Sequence, residues 1–145
     1  MAVHALNGEE IRALLLTNVD LAHGTLTIRR GIRRRVVRLE PFTHQLIADW
    51  LTERHARWPA STNPHLLVTG RTALSTTAAP PDVTTIRGVF PKGMSLDVLR
   101  QDRILDEARS SVDPPRLMRL FGISDSTAMR YITAAHPERT SKLPK

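Results

Sequence analysis

Apolar residues recur at helical spacing in several stretches of the chain and alternate with period two in one. Asn7 can cap a helix whose first turn carries Glu9 and Glu10, where the helix dipole favours acids. Ile11, Leu14 and Leu15 give that helix an apolar stripe and predict that it runs to about Asn18. Thr25-Leu26-Thr27-Ile28-Arg29 then alternates, and after a turn at Gly31 the segment Arg35 to Leu39 places Val37 and Leu39 on one face, the pattern of a β-hairpin. Pro41 suits a first helical turn, with Leu46, Ile47, Trp50 and Leu51 marking one side of a helix to about Trp58.

From Pro59 to Asp82 the chain is rich in Pro, Ser, Thr and Ala, interrupted by Leu66-Leu67-Val68, which predicts a loop, a short strand and a long second loop. Such a loop is a mobile connection or a segment ordered by a partner. Leu96, Leu99, Ile104 and Ala108 mark a helix over 95–110, which Asp113-Pro114-Pro115 ends. Two short helices hinged at Gly122 follow to Ala135, and 137–145 reads as a basic tail. The pattern predicts a mainly helical α+β fold with a small basic antiparallel hairpin. It is read as a single unit over 1–136, with 59–82 a flexible loop region and 114–135 a separate segment within it.

Composition narrows the picture. Of 145 residues, 41% are apolar, enough for a core, but only 4% are aromatic, so aliphatic side chains must fill it. The absence of cysteine removes disulfides, Cys-based zinc sites and thiol nucleophiles, and fits a reducing cytoplasm. No membrane partner is expected, because the longest apolar run is the four residues Ala13 to Leu16, against roughly 20 needed to span a bilayer. His4, His23, His44, His55, His65 and His136 are scattered without ligand-like spacing, so no metal is expected. There is no glycine-rich phosphate loop, and Ser75, Ser110 and Ser111 lack a nucleophile-elbow context, so no small-molecule cofactor is expected either.

Charge changes the picture most. The formal net charge is +7, and 18 of the 21 basic residues are arginine. Arg29, Arg30, Arg33, Arg34, Arg35 and Arg38 fall within ten positions, and no acid lies between Asp20 and Glu40. Guanidinium forks match phosphate oxygens, so the block reads first as a polyanion-binding surface, with double-stranded DNA as the expected partner. Two plainer readings stay open: a solvated edge strand guarded by charge, and an arginine bias set by genomic base composition.

The run from Pro114 to Tyr131 resembles a bacterial helix-turn-helix. Leu117, Phe121, Ile123, Ala128 and Tyr131 occupy inward positions, Gly122 sits at the turn, and Ser124 or Asp125 can cap the second helix. Met118 departs from the alanine usual at that close contact. The resemblance implies that Ser124, Ser126, Met129, Arg130 and Thr133 face base edges while Arg116 and Arg119 meet phosphates.

Read end to end, residues 5 to 135 also resemble the catalytic domain of tyrosine recombinases, the phage integrase family. The matching pieces are Ala5-Leu6-Asn7, Glu10, Ala13-Leu14, Asn18-Val19-Asp20-Leu21, Gly24-Thr25-Leu26, Arg35-Val36-Val37-Arg38-Leu39-Glu40-Pro41, Asp97-Val98-Leu99-Arg100, Leu120-Phe121-Gly122-Ile123 and Arg130-Tyr131. The resemblance implies metal-free phosphoryl transfer on DNA, with Tyr131 at the nucleophile position and Arg100 at the second arginine. It also implies departures: Asn7 replaces the first arginine, Asp97 and Ile123 replace two histidines, and the hairpin has no lysine. A carboxylate beside a phosphodiester repels the developing charge, and each lost charge stabiliser typically costs on the order of 10²- to 10³-fold in rate.

The resulting expectation is a DNA-binding protein of phage or mobile-element integration, impaired in strand cleavage, acting in the bacterial cytoplasm at the nucleoid and assembling as several copies on DNA. The chain begins where the family motif begins, which fits a fragment of a longer protein or a reduced descendant. Tyr131 is equally readable as a packed core residue. Two rival expectations are an active recombinase using Tyr131 and Arg100, and a protein-interaction module whose arginines meet an acidic partner.

Overall fold

In the computed structural model, which describes residues 4–140, Gly8–Lys92 form one compact unit and the described residues before Gly8 and from Gly93 onward form another. The part of the predicted basic tail at 141–145 lies outside the described residues.

The first unit opens with helix α1 (Gly8–Arg12), which ends six residues short of the predicted Asn18. The reason is a long-range exchange of backbone hydrogen bonds. The Leu16 amide donates to the Pro64 carbonyl and the Leu66 amide to the Leu14 carbonyl, both at 2.8 Å, so these peptides serve a β-bridge between Leu15 and His65 and not a helix. That single bridge replaces the strand predicted at Leu66-Leu67-Val68, although Leu66 and Val68 are buried as a strand would have had them. A 3₁₀ turn (Leu16–Asn18) leads into strand β1 (Val19–Asp20), which the sequence did not announce.

Strands β2 (Thr25–Arg30) and β3 (Arg33–Arg38) form the predicted hairpin, in the order β1-β2-β3 and antiparallel throughout. Leu26 and Ile28 bury one face of it. Helix α2 (Pro41–Arg57) follows as predicted, but its buried positions are Thr43, Ile47 and Arg54, spaced four and seven apart. Leu46, expected on that side, is exposed.

Arg54 explains how the irregular stretch after α2 is held. Its Nη2 donates to the carbonyls of Asn63 and His65 at 2.6 and 3.3 Å, and the Trp50 indole donates to the Leu66 carbonyl at 2.8 Å. Buried Asn63 extends the tie, its amide donating to the carbonyls of Thr72 and Ala79. Buried polar groups bonded in this way fix a loop without a regular ladder, although Arg54 Nε itself is buried without a hydrogen bond. A short helix α3 (Val83–Arg87), capped by Asp82, follows directly on the stretch read as loop to Asp82.

The second unit is helical: α4 (Leu96–Ser110), α5 (Pro114–Phe121), α6 (Asp125–Ala135) and a last turn α7 (Pro137–Thr140). Each of the first three begins on a side chain that accepts from the backbone: Ser95 from the Val98 amide, Asp113 from the Arg116 amide, Ser124 from the Thr127 amide. Such caps are each worth about 1 kcal/mol. Ile104, Ala108, Leu117, Phe121, Ile123, Ala128 and Ile132 form the core with Ala5, and Met118, Tyr131 and Ala135 pack against it. The architecture is a mainly helical α+β fold with one small antiparallel sheet, as the pattern predicts. No described helix is long and apolar enough to cross a membrane.

Candidate nucleic-acid interface

The register of the hairpin sorts its arginines. Cross-strand partners share a face, so Arg29 and Arg34, with Arg38 opposite Thr25, lie on one side of the ribbon. Arg30 and Arg33 lie on the other, the side that carries Leu26, Ile28 and Arg35. Arg29, Arg30, Arg33, Arg34 and Arg38 are all exposed, and among the described residues no carboxylate pairs with any of them. Two like charges face each other directly at Arg29–Arg34 and again at Arg30–Arg33, an arrangement that weakens a hairpin unless an anion joins it.

Arg35 does not belong with that exposed set. Its Nη2 lies 3.1 Å from Glu10 Oε2, and the two side chains are only 12% and 4% exposed. The side chain that the sequence grouped with the polyanion surface therefore ties β3 to α1.

In the second unit, α5 and α6 meet at Gly122, whose φ of +63° places it in the left-handed region. A residue with a Cβ is strained there, so the tight turn after Phe121 depends on glycine. Of the five positions expected to point inward, Leu117, Phe121, Ile123 and Ala128 are buried and Tyr131 is partly buried, and Ile132, which was not singled out, joins the core. Met118 is accommodated at the edge of the core. Ser126, Met129, Arg130 and Thr133 share the exposed side of α6, away from Ala128 and Ile132. Ser124 is used locally: its hydroxyl accepts from the Thr127 amide and lies within 3.1 Å of the Ser126 and Thr127 hydroxyls.

Arg116 and Arg119 differ. Both are exposed, but Arg116 Nε donates to Glu107 Oε1 at 2.8 Å, whereas no carboxylate pairs with Arg119 among the described residues. Arg103 Nη1 holds the other oxygen of Glu107 at 3.1 Å and its guanidinium lies 5.8 Å from the centre of the Phe121 ring. Burial, the largest single influence, pushes the Glu107 carboxyl up. The hydrogen bonds and charges of Arg116 and Arg103 together outweigh it and leave the group below its ordinary 4.5. A buried carboxylate on α4 was not legible in the apolar stripe.

Arg100 and Tyr131, read as catalytic by resemblance, both sit in this unit. Arg100 is partly buried and its Nη2 donates to the Phe121 carbonyl at 3.0 Å, satisfying the end of α5, while its Nε is buried without a hydrogen bond. Tyr131 is partly buried against the core. Asp97 is exposed in the first turn of α4, where its charge suits the helix dipole. Ile123 is buried beneath the hinge.

Neither a protein-family model nor a curated protein sequence matches the chain. Solved structures do. XerA recombinase is similar at a TM-score of 0.70 and 21% identity, over 99% of this chain and 57% of that one. The Tn1549 transposon integrase in complex with transposon right-end DNA is similar at 0.68 and 11%, over 98% and 56%. XerH site-specific recombinase bound to its difH substrate is similar at 0.66 and 18%, over 98% and 42%. The chain thus spans about half the length of these neighbours, and at such identities the likeness speaks to the fold, which is that of a tyrosine-recombinase catalytic domain.

Proposed function

We propose that this chain binds double-stranded DNA and is severely impaired in cutting it. The observation that carries the binding half is the set of five exposed arginines on one hairpin, with no carboxylate partner among the described residues. Such a surface releases counterions on meeting phosphates, a gain that a neutral or basic partner does not offer. The exposed row Ser126, Met129, Arg130 and Thr133 on α6 supplies side chains of the kind that read base edges, with Arg119 for a phosphate. Two of the neighbours are described as complexes with DNA, which supports the same reading.

Impairment follows from the chemistry the remaining residues can offer. A tyrosine oxygen attacking a phosphodiester needs cationic or hydrogen-bonding groups around the phosphoryl oxygens. Ile123 turns an apolar side chain into the core at a position where the family resemblance implies a histidine. Asp97 adds a negative charge, and Arg100 has one donor committed to the Phe121 carbonyl. The favoured setting is integration of a mobile element in a bacterial cytoplasm, with several copies on one DNA site.

The competing reading is an active enzyme. It draws on Tyr131, whose hydroxyl has no hydrogen-bond partner among the described residues, and on the retained Arg100. A suicide DNA substrate separates the two. No covalent adduct is expected from the chain, whereas an adduct that disappears in Tyr131→Phe overturns the impairment. Binding is tested on the same duplex by salt titration: affinity should fall steeply with ionic strength, and a flat response would favour an acidic protein partner.

A further inference from the structure

The tip of the hairpin carries a residue that the fold does not ask for. Arg30 pairs with Arg33, so the loop between the strands is the two residues Gly31 and Ile32. Gly31 takes a φ of +59° and Ile32 is not among the residues with positive φ, the pattern of a turn that needs glycine first and tolerates almost any residue second. Ile32 is wholly exposed, more so than any other large apolar side chain described. A hairpin that only met water would be better served by a polar residue there, because an exposed β-branched apolar side chain at a ribbon tip invites association.

The surroundings specify what it meets. Arg30 and Arg33 follow it on one side of the ribbon and Arg29 and Arg34 on the other, so the apolar group stands at a tip backed by four exposed arginines. An apolar protein surface is a poor match for a tip backed by that much charge. A duplex is a good one, since its anionic rails lie outside and its apolar base faces inside. We infer that Ile32 is a wedge that inserts between adjacent base pairs while the flanking arginines hold the phosphates on either side. The inference rests on the DNA-binding reading and deepens it. Isoleucine belongs to the side chains that unstack a base step in this way, and unstacking takes a few kcal/mol per step, which the extra contacts of the deformed duplex repay.

A wedge is recognised by what it gains from DNA that is already unstacked. The test compares two duplexes of one sequence and length, one fully paired and one with a single-base bulge, bound by the whole chain. Removing most of the unstacking cost should favour the bulged duplex by roughly tenfold or more. Ile32→Ser should abolish that preference while keeping the salt dependence, and Ile32→Leu should restore it. Because the side chain touches no core, neither change should unfold the protein. Equal binding of the two duplexes, or a preference that survives in Ile32→Ser, overturns the wedge and leaves DNA binding intact. Failure to bind either duplex overturns both. An oligomer in solution that dissociates on Ile32→Ser assigns the tip to a contact between copies and also overturns the wedge.

Discussion

Arg35 and Glu10 form an ion pair of 3.1 Å in which neither side chain exceeds 12% exposure, and this separates one arginine of the hairpin block from its five neighbours. Removing one partner from a buried pair takes away the nearest counter-charge of the other, a loss that typically costs 3–5 kcal/mol. Arg35→Ala should therefore destabilise the protein by about 3 kcal/mol in urea denaturation, whereas Arg34→Ala, on the exposed face, should stay within about 0.5 kcal/mol. Equal effects of the two would remove the distinction between a structural and a ligand-facing arginine.

The difference between these two side chains also shows where the sequence stops being informative. Local periodicity located α2, α4, the α5–Gly122–α6 hinge and the hairpin, because each buries a face whose spacing is written in adjacent residues. Features that join distant residues had no such trace. Leu14 and Leu16 lie in a stretch whose spacing predicts a helix, but their peptides are bonded to Leu66 and Pro64. Arg54 and Glu107 belong to neither apolar stripe, yet each is buried by hydrogen-bond partners within its own unit. Charge counting likewise grouped Arg35 and Arg116 with the free arginines, since a carboxylate partner 25 or nine residues away is invisible in a run of like charges. For the candidate catalytic pair, the sequence located Arg100 and Tyr131, while the Phe121 carbonyl that occupies Arg100 emerged only from the fold.

Two exposed arginines on different elements should fail differently when removed. Arg34 lies on the outer face of the ribbon, in a place suited to a phosphate, and Arg130 lies on the exposed side of α6. Arg34→Ala should weaken all duplexes alike and reduce the slope of log affinity against log salt by about 0.9. Arg130→Ala should relax preference at one base pair by about 1–3 kcal/mol, measured by competition among single-position variants of a selected site. Uniform losses from both would show that α6 contacts backbone only.

Gly122 adopts a φ of +63° between α5 and α6, and the amide of the same residue donates to the Met118 carbonyl at 2.9 Å. An L-residue in that left-handed conformation is strained by roughly 1–2 kcal/mol. Gly122→Ala should lower stability by about that amount in thermal denaturation followed by circular dichroism, and Gly122→Asn by less, because asparagine tolerates the conformation better. An alanine variant as stable as the parent would mean that the hinge does not hold the geometry described.

Glu107 makes the second unit sensitive to acid. Its carboxyl lies below the ordinary 4.5 in the folded chain, held ionised against its own burial by Arg116 and Arg103. A depressed folded value means that the unfolded chain takes up the proton first. The stabilisation is therefore complete above the ordinary value and is lost as pH falls below about 4.5 and through the folded value. Glu107→Gln keeps the shape and one acceptor but removes the charge that both arginines use. Arg116 is half exposed, so solvent screens part of the interaction, and the neutral variant should lose on the order of 1–2 kcal/mol at pH 7. Denaturation measured from pH 7 to pH 3 should show the two proteins converging as the parent gives up that advantage. A difference that stays constant across the range would mean that the Arg103–Glu107–Arg116 contacts act through packing alone and not through charge.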